Sequence, residues 1–244
     1  MAEMAASKYE LTIDKLLLNT LHRKCRQQIV YAKTRYDWVE FYDRVRRLAS
    51  GLERMGVRKG TVVAVVDVDT NRYLEAYYAV PMLGATLHTV NIRLPPEHLG
   101  YTMAHAQDEF VLIRDEFVPL ATKLAGSVKS LRGVVTMSDS GSAPSVPLMN
   151  VKFYDDLVKE GDPKFEFPQL DEDTRATIFY TSGTTGMPKG VECPHAGYVN
   201  LALSAEIGRT PNRKRGDCSD PRRNQSGLVQ RRDQEVPRRQ QMGI

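Results

Sequence analysis

Residues 180–190 read Tyr-Thr-Ser-Gly-Thr-Thr-Gly-Met-Pro-Lys-Gly, a segment with three glycines, three threonines, one serine and one lysine. That composition suits a loop that wraps a polyphosphate. Glycine lets the backbone turn sharply and approach a ligand closely. Successive backbone N–H groups form an anion-binding concavity, the hydroxyls of Thr181, Ser182, Thr184 and Thr185 add donors, and Lys189 supplies a compact positive charge. The spacing is not that of the Walker loop, in which Gly-Lys-Ser/Thr opens a helix. Here Gly183 and Gly186 are followed by Met187, Pro188 and Lys189, and Pro188 keeps the chain from running straight into a helix. The competing reading is a polar linker that binds nothing; the apolar strand expected at Thr177–Tyr180 speaks against it.

The elements that must position this loop follow from hydrophobic periodicity. Trp38, Phe41, Tyr42, Val45, Leu48, Ala49 and Leu52 recur at helical spacing, with Asp37 placed to cap the start and Gly56 the end, so Trp38–Met55 is expected to be a helix. Leu11–Lys24 is expected to be a short amphipathic helix, and Gln28–Tyr31 with Thr34–Tyr36 a small hairpin. Strands are expected at Thr61–Val66, Thr86–Val90, Phe110–Ile113 and Gly133–Thr136. Helices are expected over Asn71–Leu83, ended or kinked by Pro81, over Pro95–Ala106, Phe117–Ala125 and Phe153–Lys159. Ser138–Pro147 is expected to be a mobile surface loop. Continuous apolar strands alternating with helices predict an α/β fold, a parallel sheet with helices on both faces. Ligands in such folds bind at the carboxyl ends of strands, which is where Tyr180–Thr181 leads.

Composition narrows the class. The 244 residues are 41% hydrophobic, with no apolar run long enough for a bilayer and no signal-peptide core, so a soluble cytoplasmic protein is expected. Cys25, Cys193 and Cys218 have neither disulfide nor metal-ligand spacing. The net charge of +4 is unevenly spread. Residues 209–244 hold ten of the 34 lysines and arginines and four of the 30 acidic residues, leaving 24 basic against 26 acidic in residues 1–208. The body is thus slightly acidic. Arg209–Arg239 has almost no aliphatic residues besides Leu228, Val229 and Val236 and shows no period, so a disordered tail is expected over 209–244, after a domain spanning 1–208. Nucleic-acid binding by this tail is the lesser reading, because Asp217, Asp220, Asp233 and Glu235 interrupt the charge and no aromatics interleave it. Asp67 and Asp69, and the Asp171–Asp173 cluster, read as solvated turns and caps rather than a metal site. His195 reads as a helix-start packing or capping residue, with a general base as the alternative.

The eleven-residue loop resembles the phosphate-binding signature of the adenylate-forming enzymes: acyl-CoA synthetases, luciferases and amino-acid adenylation domains. Supporting likeness runs through Leu48–Gly60 with Val62-Val63-Ala64, through Tyr73–Ala85, and through Leu87–Leu94 with Pro96-Glu97, the last similar to the fatty acyl-CoA synthetase branch. It covers roughly residues 35–200. The resemblance implies ATP, Mg²⁺ and coenzyme A as co-substrates and cofactor, with a carboxylic acid, above all a fatty acid, as substrate. It implies that Thr181, Ser182, Gly183, Thr184, Thr185, Gly186, Met187, Pro188 and Lys189 hold the ATP phosphates, with Thr181 also placing Mg²⁺. Donors and the metal would relieve the charge repulsion between carboxylate and triphosphate. Another adenylating enzyme, such as an aryl-CoA ligase or an amino-acid-activating domain, is the alternative. No catalytic residue is assigned.

The sequence also departs from that family. It contains no aromatic-Gly-x-Thr-Glu segment for adenine and metal, and no Thr-Gly-Asp for the ribose. The catalytic-lysine domain is absent as well. Glu206 lacks a Tyr-Gly context, and Gly216-Asp217 lacks the preceding threonine. The expectation is an incomplete N-terminal portion of the adenylate-forming large domain, inactive as a ligase alone. Its Arg-rich end has the composition that translation in another frame produces.

Overall fold

The computed structural model describes residues 9–23, 26–124, 126–142, 146, 150–181 and 186–207. All of them lie within the unit Met1–Thr210. In chain order the elements are α1 (Asp14–His22), β1 (Gln28–Tyr31), β2 (Thr34–Asp37), α2 (Trp38–Met55), β3 (Val62–Val66), α3 (Asn71–Met82), β4 (Thr86–Thr89), α4 (Pro96–Ala106) and β5 (Phe110–Arg114). A 3₁₀ turn (Asp115–Phe117) then leads to α5 (Val118–Leu124), β6 (Gly133–Met137), β7 (Val151–Phe153), α6 (Tyr154–Glu160), β8 (Arg175–Thr181), β9 (Lys189–Pro194) and α7 (His195–Ile207).

Seven strands form one sheet in the order β7-β6-β5-β3-β4-β8-β9, while β1 and β2 make a separate antiparallel pair. All neighbours in the large sheet are parallel except β8 and β9. The inner strands β3, β4, β5 and β6 are buried on both faces because their side chains alternate between two apolar layers. Val63, Val65, Phe110, Leu112, Val135 and Met137 join α1, α2, α3 and α6 on one face. Ala64, Val66, Val111, Ile113 and Val134 meet Leu99 and Met103 of α4 and Val118 of α5 on the other. This is the expected α/β arrangement.

Helix α2 forms where its period placed it. The Asp37 carboxylate accepts from the N–H of Val39 and Glu40, and Gly56 closes the helix at φ 108°, a conformation a side chain would strain. Pro81 stands in the last turn of α3, which ends one residue later. Gly161, after α6, packs backbone to backbone on α2: a Cβ there would lie 2.2 Å from the Arg47 carbonyl oxygen.

Three expectations need correction. Residues 151–153 form an edge strand, so the helix after them starts at Tyr154. Ser138 and Asp139, expected in a mobile surface loop, are held fast. Ser138 is buried and donates to Asp115, and Asp139 accepts from Tyr31, Arg72 and Arg114 at 2.8–3.0 Å. Asp67, read as solvated, is buried at the end of β3, where it accepts from Val68 N–H and the Thr70 hydroxyl, and burial raises its carboxyl above the ordinary range. The Arg-rich tail lies outside the described residues.

Candidate functional site

Strand β8 carries the chain to the carboxyl end of the sheet. It pairs with β4 through Leu87–Thr177, His88–Ile178 and Thr89–Phe179, where the parallel ladder stops. Beyond that, β8 is paired with β9 as far as Tyr180–Gly190 and Thr181–Lys189. Thr181 and Lys189 are thus cross-strand partners on one face at the mouth of a hairpin, their Cβ atoms about 5 Å apart by strand geometry. Both are exposed, while Pro188 beside Lys189 is buried. Gly186 takes φ 147°, which disfavours any side chain, and Met187 is 44% exposed. Ser182, Gly183, Thr184 and Thr185 lie outside the described residues. The structure therefore brings the two ends of the predicted loop together, with a hydroxyl and an ammonium facing the same side.

Beside the mouth opens a cleft of about 600 Å³ whose walls include Tyr31, Asn71, Tyr73, Tyr77, Asn91 and Phe179. It occupies the carboxyl ends of β4 and β8 and the amino end of α3. In chain order β3 leads into α3 on one sheet face and β4 into α4 on the other, so the connections diverge here, as at ligand sites of open α/β sheets. Burial lifts the phenols of Tyr73 and Tyr77 above their ordinary value, so both stay protonated donors.

The base of the hairpin is gripped from the α4 face. The Tyr180 hydroxyl lies 2.7 Å from Nδ1 of His105, and its ring stacks at a tilt on His88, centroids 5.2 Å apart. His88 in turn has Nδ1 at 2.9–3.0 Å from both carboxylate oxygens of buried Asp108. Sequence reasoning missed this group; its hydrogen bonds join residues 20 and 75 apart, from β4, α4, β8 and the turn after α4, and follow no motif.

His195 sits at the other end of β9, six residues from Lys189, or ~20 Å along a strand. It is fully buried, starts α7, and its Nδ1 accepts from the Ile13 N–H at 3.2 Å. Burial lowers its pKa. It forms part of the wall of a separate cavity of about 560 Å³ near α1 and residues 165–170. The helix-start packing role holds, and the general-base role at the loop does not. Asp171 accepts from Asp173 N–H two residues on, as a turn residue does, whereas Glu172 accepts from Leu11 N–H, 161 residues away, and ties the segment before α1 to this turn. Among the described residues no three His, Cys, Asp or Glu side chains group to hold a metal.

Residues 19–220 match the sequence profile of the AMP-binding enzymes. The chain belongs to the AMP-binding enzyme family. The match extends past the 35–200 stretch that carried the motifs, at both ends. Among relatives, the medium-chain-fatty-acid–CoA ligase of Ectopseudomonas oleovorans is 36% identical over 179 residues, covering 73% of this chain and 33% of that protein. The long-chain-fatty-acid–CoA ligase of Thermus thermophilus is 36% identical over 173 residues, 71% of this chain and 30% of that one. The fold is shared with the anthranilate CoA ligase AuaEII in complex with anthranoyl-AMP, at TM-score 0.72 and 20% identity over 84% of this chain and 38% of that one. The chain spans about a third of the length of the curated relatives it matches.

Proposed function

We propose that this chain carries the triphosphate-binding portion of an ATP-dependent acyl-CoA ligase for fatty acids. The observation that supports this best is the pairing of Thr181 with Lys189 at a hairpin mouth on the carboxyl end of the sheet. In this reading Thr181, Ser182, Gly183, Thr184, Thr185, Gly186, Met187, Pro188 and Lys189 enclose the β- and γ-phosphates. Lys189 supplies charge, and the backbone N–H groups and hydroxyls supply donors. Mg²⁺ prefers octahedral oxygen ligands and takes few from protein. The Thr181 hydroxyl fits as one such ligand, with phosphate oxygens and water as the others. Bound there, the metal would neutralise charge on the leaving pyrophosphate. The carboxylic acid, ATP and coenzyme A are the partners of the whole reaction, and the cytoplasm is the compartment we assign. Among the described residues no helix is long and apolar enough to cross a membrane.

The fatty-acid assignment draws support from the names of the relatives and from Leu87–Leu94 with Pro96-Glu97. The 244 residues include no adenine, ribose or catalytic-lysine motif. We therefore take residues 1–208 to bind triphosphate without completing ligation, and 209–244 to be a separate tail. Calorimetric titration with ATP and Mg²⁺ tests the reading. Binding is expected in the wild type and about tenfold weaker in Lys189→Ala, the loss of one charged hydrogen bond. Equal affinity in the two proteins would overturn it.

A further inference from the structure

We propose that Tyr180 is the positioning residue of the hairpin mouth, held by His105 so that Thr181 and Lys189 meet the phosphates in one fixed arrangement. The proposal rests on the triphosphate reading of that mouth. The need for such a residue follows from where the sheet stops. Pairing of β8 with β4 ends at Phe179, so among the described residues β8 beyond it pairs with β9 alone. Strand β9 is the edge of the sheet, with Lys189, Gly190, Val191 and Glu192 all exposed. An edge hairpin fixed by its own ladder alone is marginal in water. Something from the body must set its direction.

Tyr180 reaches the body through a hydrogen bond and two ring contacts. Its hydroxyl meets His105 on α4 at 2.7 Å, and the two rings make an edge contact at 5.8 Å. Its ring also rests on His88, which Asp108 tethers from two oxygens. Across the hairpin stands Gly190, where a Cβ would lie 3.3 Å from the Tyr180 ring, so the ring covers the backbone of the second strand as well. One side chain thus ties both arms of the hairpin to α4 and β4, next to the Thr181–Lys189 pair. Burial, then the Asp108 charge, push the phenol up to about 12, so at neutral pH it keeps its proton and its O–H can donate to Nδ1. Tyr180 touches no reacting atom in this scheme; it acts through its neighbours.

The test uses the full 244-residue chain in five forms: wild type, Tyr180→Phe, His105→Leu, His105→Asn and the Tyr180→Phe/His105→Leu pair. Asparagine places an acceptor near the position of Nδ1. Each form is titrated with ATP and Mg²⁺, and backbone amide exchange is followed without ligand. Loss of the neutral hydrogen bond is expected to weaken ATP about fivefold in Tyr180→Phe and in His105→Leu. The pair should be no worse than either single change. Exchange at the amides of residues 181 and 189–191 should speed up by a similar factor while β3 and β5 stay protected, and His105→Asn should restore both readouts. Unchanged affinity and exchange in Tyr180→Phe would overturn the proposal. So would faster exchange spread evenly over the sheet, which marks a loss of stability alone. If the wild type binds no ATP, the triphosphate reading fails, and the local exchange pattern still decides whether Tyr180 positions the mouth.

Discussion

Glu75 shows how much of this fold is set by single side chains that the sequence does not advertise. It is fully buried on α3, yet its carboxylate accepts from Tyr36, from Arg44 Nε at 2.8 Å, from Asn71 at 3.2 Å and from Tyr154 at 2.6 Å. Four donors offset the desolvation that would otherwise forbid a carboxylate there. Tyr154 is itself fully buried, and its phenol is driven well above the ordinary value by burial and by Glu75. Tyr154→Phe deletes one donor from a buried charge and should cost about 1.5–3 kcal/mol in urea unfolding. A change below the error of the fit would mean the carboxylate is satisfied without it. His195 gives a pH dependence. Burial depresses its folded-state pKa below the ordinary 6.5, against the opposing pull of Asp14 and the Pro81 carbonyl. The folded state therefore holds fewer protons than the unfolded one below pH 6.5, so this contribution is complete above that value and is lost as pH falls through the folded pKa. The thermal midpoint should drop between pH 7.5 and 5.5, and His195→Asn, an acceptor that takes up no proton, should flatten the slope. An equal drop in the variant would assign the effect to other groups.

At the scale of elements, legibility followed period and capping. Helix α2 could be read to the residue because its apolar face recurs at helical spacing and both ends carry cap residues whose chemistry is local. Asp37→Ala removes an acceptor shared by two N–H groups and should cost about 1 kcal/mol, read as a lower midpoint in guanidinium with the slope unchanged. An unchanged midpoint would show that water caps the helix equally well. Strand β9 could not be read, since Lys-Gly-Val-Glu-Cys-Pro has no alternation, and its first four residues are exposed on both faces. Its place is fixed by the partner strand instead. The three residues of β7 are too few to show any period. At the site, the glycines, hydroxyls and Lys189 announced a phosphate loop, but the grip of His105 on Tyr180 depends on a contact across 75 residues that only folding supplies.

At the scale of the whole molecule, charge and apolar content divide the chain in the same place. The acidic body, 24 basic against 26 acidic residues, carries the sheet and both apolar layers, and the Arg-rich stretch beyond residue 208 brings only three aliphatic residues before Arg239. A segment so poor in apolar surface adds little burial, the main source of folding stability. Deleting residues 209–244 should therefore leave the thermal midpoint within about 2 °C of the full chain, since burial worth 1 kcal/mol moves a domain of this size by ~2–4 °C. ATP affinity should also stay unchanged, because the proposed phosphate contacts end at Lys189. A large fall in either would show that the tail packs on the body and that the boundary at 208 is misplaced; the family match, which runs to residue 220, makes that outcome a real alternative. The same deletion separates the two origins of basicity. If the tail binds RNA through phosphates, retention by the full chain should fall steeply between 50 and 200 mM salt, on the order of 10³-fold for six or more contacts, and vanish on deletion. Four acidic residues set among ten basic ones argue for weak retention that is already lost near physiological salt.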